Sequence, residues 1–190
     1  MVRTLFFLNI AGFWCQLFYG DFLLTWFALW PPGTEGYPQF MAWQVLTYSF
    51  MHGGILHLAV NMLALWMFGR DVERVLGSRR FLYYYLACVV SAALLQLIVA
   101  VSSATPYPTV GASGGVFGVL LAYGLFFPHR RLLLLFPPIP MPAWLFVSLY
   151  ALLELVLGVT GTQAGVAHFA HLGGMLGGYL VLQLGRRRPR

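Results

Sequence analysis

Six apolar runs, parted by clusters of arginine, constrain this chain more than any other feature. They fall at about residues 5–30, 53–68, 81–101, 113–127, 143–159 and 166–184. Runs of this kind, almost free of charge, are what helices need to cross a hydrocarbon core about 30 Å thick. The runs are continuous rather than alternating, which argues against a transmembrane β-barrel. Only 8% of the 190 residues are charged, against about 25% in an average soluble domain. The expected fold is all-α, a six-span helical bundle in one integral-membrane domain over residues 1–190. No internal repeat, low-complexity segment or linker divides it.

All eleven basic residues are arginine. They stand at Arg3; at Arg70, Arg74, Arg79 and Arg80; at Arg130 and Arg131; and at Arg186, Arg187, Arg188 and Arg190. With six spans, all four groups land on one side. The excess of positive charge makes that side cytoplasmic, together with both termini. The net charge of +6 therefore reads as topology and contact with anionic lipid headgroups. It does not indicate nucleic acid, because no basic patch lies on a soluble domain. The first run is too long for a signal-peptide core and lacks a small-residue cleavage site, so it is expected to be a retained span. Cys15 and Cys88 lie in apolar runs and suggest neither a disulfide framework nor a metal site.

The connections differ in character. Residues 34–50 carry Tyr37, Phe40, Trp43 and Tyr48 and are expected to form an ordered loop partly in the outer interface. Ser102 to Thr109 reads as a short outer loop, and Gly158 to Gly165 as an outer turn. Leu132 to Pro142 contains four prolines and should be a constrained cytoplasmic connection. The tail from Arg186 to Arg190 would stop transfer.

A polar residue inside a span costs free energy, so each needs an account. Ser113 opens the fourth run, in the bend Gly111-Ala112-Ser113-Gly114-Gly115. A helix from Ser113 to the Pro128-His129-Arg130-Arg131 boundary has about 15 residues, or roughly 22 Å. In a core of roughly 30 Å, that leaves Ser113 about 8 Å below the outer surface. His57 and Asn61 are four residues apart and share one helical face. His171 enters the sixth run from the same side. Four separated residues thus reach similar depth. A serine becomes a nucleophile when a base takes its proton. A histidine can be that base and later the acid, and the oxyanion formed on an amide needs preorganised donors. Small residues at helix contacts and interhelical hydrogen bonds are the structural alternatives for the same positions. His168 and His171 could suggest a metal, but no H-E-x-x-H is present. Asp21 and Glu154 are acidic residues in spans; Glu154 reads as a structural hydrogen-bond acceptor.

Three motifs, in order, resemble one family. Gly111-Ala112-Ser113-Gly114 is similar to the G-x-S-G of rhomboid intramembrane serine proteases. His57 to Asn61 resembles their H-x-x-x-N. Ala170-His171, with Gly174 and Gly178, resembles their A-H-x-x-G-x-x-x-G. Trp43 and Glu73 also stand at family-like positions. The resemblance spans about Trp43 to Gly178. It implies a rhomboid-like bundle whose short fourth helix starts at the nucleophile Ser113, with His171 as general base. His57, Asn61 and the Ser113 backbone N–H would stabilise the oxyanion. Gly111, Phe117, Gly174 and Gly178 would pack around the site, and His168 would be a neighbour. No cofactor or metal is implied. The implied substrates are transmembrane segments of other membrane proteins, cut near their extracytoplasmic ends. Gln44 replaces the family's frequent arginine after Trp43, and Phe117 stands where a tyrosine often packs on the imidazole. A non-catalytic membrane scaffold and a small transporter using Asp21 and Glu154 are the rival readings.

Overall fold

A computed structural model describes residues 1–33, 35–101, 107–133, 139–161 and 166–186. Parts of the four expected connections, and the tail beyond residue 186, lie outside the described residues. The order of elements is α1 (Val2–Phe27), α2 (Gln44–Thr47), a 3-10 turn (Tyr48–Phe50), α3 (Ile55–Leu76), α4 (Ser78–Ala100), α5 (Ser113–Phe126), β1 (Arg131–Leu133), β2 (Pro140–Pro142), α6 (Ala143–Thr160) and α7 (His168–Arg186). Among the described residues, four helices are long and apolar enough to cross a membrane, namely α1, α3, α4 and α6. Helix α5 is apolar but has only 14 residues.

The bundle is built around α5. Ten of its residues, from Gly114 to Gly124, are buried, whereas α1 buries only Val2, Leu5 and Asn9. Exposed Phe7, Trp14, Leu17 and Phe18 on α1, and Leu152, Leu155 and Val156 on α6, are the surface expected where lipid is the solvent.

Glycine governs how closely α7 approaches its neighbours. A Cβ at Gly174 would collide with the backbone of Gly114. At Gly173 it would fall 2.9 Å from Ala92 Cα, and at Gly177 and Gly178 it would strike Ser91 and Tyr84 on α4. These close contacts replace the hydrophobic effect, which cannot drive apolar helices together in lipid.

Helix α3 continues eight residues beyond the end of its apolar run, to Leu76. The extension is charged and is held by polar contacts instead. Arg74 pairs with Asp71 at 2.7 Å. The Glu73 carboxylate accepts the Val2 N–H at 2.9 Å and the Ser78 hydroxyl. Gly77, at φ +78, ends α3, because a positive φ costs glycine little. The proline-rich connection contains an antiparallel ladder pairing Arg131 with Pro142 and Leu133 with Pro140. Prolines are tolerated there because the ladder is all edge.

The first loop is held to the end of α1 by Gln44, which is fully buried. Its carbonyl accepts the Trp30 and Met41 N–H groups at 3.2 and 3.3 Å. Its amide and the Trp43 indole both donate to the Trp26 carbonyl. Glutamine at this position therefore makes a contact within the loop. Gln16 on α1 clamps the next segment, accepting the His52 N–H at 3.0 Å and donating to the His52 carbonyl at 2.7 Å.

Candidate active site

Three helix ends converge on one cavity. Ser113 is the first residue of α5. The bend before it is set by Gly111, at φ +123, whose N–H donates to the Tyr48 carbonyl at 3.0 Å. Tyr48 is in turn fixed by its own hydroxyl, which donates to the Val89 carbonyl at 2.9 Å. An isolated antiparallel bridge between Leu29 and Thr109, with N–H to carbonyl bonds of 3.0 and 2.9 Å, closes the same end.

His171 lies in the first turn of α7. Its Nε2 is 2.9 Å from Ser113 Oγ, within reach of proton transfer. The Phe117 ring stacks on its imidazole with centroids 4.2 Å apart and planes at 4°. Tyr150 of α6 backs Phe117 at 5.1 Å. One face of the base is thus held flat without a hydroxyl from position 117.

His57 is in the first turn of α3. Its Nδ1 accepts the Gly53 N–H at 3.3 Å, which assigns the ring proton to Nε2. That nitrogen faces Gly111: a Cβ there would lie 2.9 Å from His57 Nε2 and 3.6 Å from Ser113 Oγ. Asn61 donates from Nδ2 to the carbonyl of His57 at 2.9 Å, back into its own helix, with a second amide proton left over. Gly53, His57, Asn61, Ser113, Tyr150 and His171 all line a cavity of about 710 Å³. Gly174 and Gly178 lie deeper along α7, against Gly114 and against Tyr84 with Cys88. They set the approach of the helices and do not line the cavity.

Glu154 reads from the sequence as a structural hydrogen-bond acceptor, and the structure supplies the partners that the sequence did not name. Its Oε2 is 2.8 Å from His171 Nδ1 and 2.7 Å from His168 Nδ1. The signals in the sequence were an acidic residue inside an apolar run and Tyr150 and Glu154 four apart on one face of α6. These three side chains hold ligand atoms within 4.8 Å of one another, close enough to chelate a cation. Their mutual hydrogen bonds engage both Nδ1 atoms and Glu154 Oε2.

A family model described as "Rhomboid domain" matches residues 39–188. The chain belongs to the rhomboid family. It is an integral, multi-pass membrane protein of that family. It is 34% identical over 141 residues to "Rhomboid protease GluP" of Bacillus subtilis, covering 73% of this chain and 25% of that protein. Against "Rhomboid protein 1, mitochondrial" of Saccharomyces cerevisiae, identity is 33% over 145 residues, covering 72% and 40%. The human "Presenilin-associated rhomboid-like protein, mitochondrial" is 30% identical over 145 residues, covering 74% and 37%. This rhomboid chain therefore spans a quarter to two fifths of the length of these relatives.

Gly111→Ala tests the bend. The side chain would be strained at φ +123 and would press on His57. Strain of this kind costs about 1–3 kcal/mol, and a misplacement of about 1 Å costs about 100-fold in rate. The expected result is a folded protein whose Ser113 reacts with a fluorophosphonate probe about 100-fold more slowly.

Proposed function

We propose that this chain is a serine endopeptidase that cleaves transmembrane segments of other membrane proteins through Ser113 and His171. The observation that carries the proposal is the 2.9 Å contact between Ser113 Oγ and His171 Nε2 at the wall of the 710 Å³ cavity.

The steps follow from the chemistry of the groups. His171 Nε2 takes the Ser113 hydroxyl proton as Oγ attacks a substrate carbonyl carbon. The carbonyl electron pair moves to oxygen. His57 Nε2–H, the Asn61 amide and the Ser113 backbone N–H receive that oxyanion; the last is available because the first N–H groups of a helix have no intrahelical partner. His171 then gives its proton to the leaving amine as the C–N bond breaks. Water repeats the sequence to release the acyl group. No cofactor or metal takes part in this scheme.

The membrane setting belongs to the same proposal. Helices α1, α3, α4, α5, α6 and α7 would be six spans of one domain, with both termini cytoplasmic and the cavity open to the extracytoplasmic face. This orientation is supported by the arginines at the opposite ends of the spans. At 14 residues, α5 is about 21 Å long, shorter than the bilayer core of about 30 Å. A shallow wet cavity can form above a helix of that length. Amides in an intact helix are already hydrogen-bonded, so a substrate must unwind locally. Small and helix-destabilising residues near its outer end would favour cutting.

The test uses purified protein, a fluorophosphonate probe and a panel of model transmembrane substrates. The expected result is labelling at Ser113, no labelling of His171→Ala, and cleavage near the outer ends of a subset of substrates. A folded protein that neither labels nor cleaves any substrate would overturn the proposal.

A further inference from the structure

The pair Ser113–His171 leaves His171 Nδ1 without a role, although that nitrogen is engaged. Glu154 Oε2 lies 2.8 Å from it. The contact runs from α6 to α7 and continues the line from Ser113 Oγ through the imidazole. Glu154 is 5% exposed and is the one carboxylate in α6, Ala143–Thr160. A carboxylate in an apolar helix carries a desolvation cost that calls for a partner and a use. Its second donor, His168 at 2.7 Å and also 5% exposed, approaches the same oxygen.

We propose that Glu154 is a positioning residue that extends the pair into a Ser113–His171–Glu154 triad, with His168 holding the carboxylate in place. This inference rests on the protease reading above. By accepting the Nδ1–H of His171, Glu154 keeps the proton off Nε2, the atom facing Ser113. When Nε2 takes the serine proton, the carboxylate stabilises the imidazolium. Glu154 itself gains no proton; Nδ1–H stays on His171 through both proton transfers. The same division of roles defines triads on unrelated folds.

The role of His168 follows from sharing. A lone carboxylate oxygen could rotate away from His171 about the glutamate side-chain torsions. A second N–H, from His168 three residues earlier in the first turn of α7, removes that freedom. His168 Nε2 is buried and has no hydrogen-bond partner among the described residues. It therefore offers the cavity no second base.

The experiment compares the wild type with Glu154→Gln, Glu154→Asp and His168→Ala in detergent. Thermal unfolding, fluorophosphonate labelling rate, and kcat and KM on one model transmembrane substrate are read for each. Glutamine keeps the volume but loses the charge, and its amide can turn an N–H toward Nδ1. Its kcat should fall by about 100-fold or more, the range of a misdirected acid–base group. KM should stay within about twofold and labelling should slow in parallel. Glu154→Asp retracts the charge by one methylene and should lose about tenfold in kcat. His168→Ala should lose less than about tenfold, because Glu154 still meets His171.

A folded Glu154→Gln with wild-type kcat and labelling rate would overturn the inference. A loss confined to KM would do so as well. So would loss of wild-type activity on adding a chelator with recovery on adding zinc, which would make the three side chains a metal site. If Glu154→Gln does not fold, Glu154→Asp decides: a fall in kcat alone supports the triad, and an unchanged kcat overturns it. A wild type that neither labels nor cleaves would remove the protease reading itself, and the triad with it.

Discussion

Ser113→Ala and His171→Ala are each expected to abolish proteolysis while leaving the bundle folded. The loss should be at least about 10⁴-fold, the scale on which removal of a nucleophile or its base is felt in serine hydrolases. Folding should survive because the close approach of α5 and α7 does not depend on either side chain. Ser113 and His171 are only partly buried at the cavity wall, and the α5–α7 contact is made by Gly114 and Gly174. Because the two residues act as one unit, the double variant should be no slower than the worse single variant. Cleavage of a model transmembrane substrate, with a thermal melt in the same detergent, checks both halves. A folded His171→Ala retaining more than about a hundredth of wild-type activity would mean that another group is the base, since base catalysis alone is worth about 10²–10⁴-fold.

The second large effect is expected from Gly174→Ala, which removes no polar group. A methyl at Gly174 would run into the Gly114 backbone, which cannot rotate aside as a side chain could. Overpacking of this kind costs about 1–3 kcal/mol in a well-packed core. Gly174 lies one residue short of a full turn beyond His171, and Gly114 follows Ser113 directly. Pushing α7 from α5 therefore lengthens the Ser113–His171 contact itself. An outward shift of about 1 Å should cost about 100-fold in rate. Gly174→Ala is expected to melt at lower temperature and to lose most of its activity and its fluorophosphonate labelling. Gly20→Ala, where a Cβ meets nothing within 4 Å, is the control and should change neither. Wild-type labelling of Gly174→Ala would show that the contact can relax without disturbing the pair.

Much of the site was legible in the linear chain because membranes penalise polar side chains. Ser113, His57, Asn61 and His171 stand out against apolar runs, and helix length with arginine placement puts them at one depth. Phe117 was readable through the resemblance, since it stands where a tyrosine often packs on the imidazole. The apolar runs located the helices but not all their ends. Helix α3 passes into charged sequence, where Asp71, Glu73 and Arg74 hold it, and hydropathy has no means of following it. The proline-rich connection hid a ladder, because strand pairing depends on two short segments meeting.

What the sequence alone determined was a multi-pass helical chain with Ser113, His57, Asn61 and His171 at similar depth in its apolar runs, in motifs that resemble the rhomboid family. The spans and the shared depth follow from run length, charge position and spacing, and the family from the resemblance of the motifs. What only the tertiary structure decided was which atoms face one another. Glu154 and His171 are seventeen residues apart, and their meeting depends on how α6 and α7 are rotated about their axes. Gln44, Gly111 and Gly174 likewise acquire their roles from neighbours remote in the chain. Rotation and approach of helices are set by close packing on every side at once, and no local pattern encodes that.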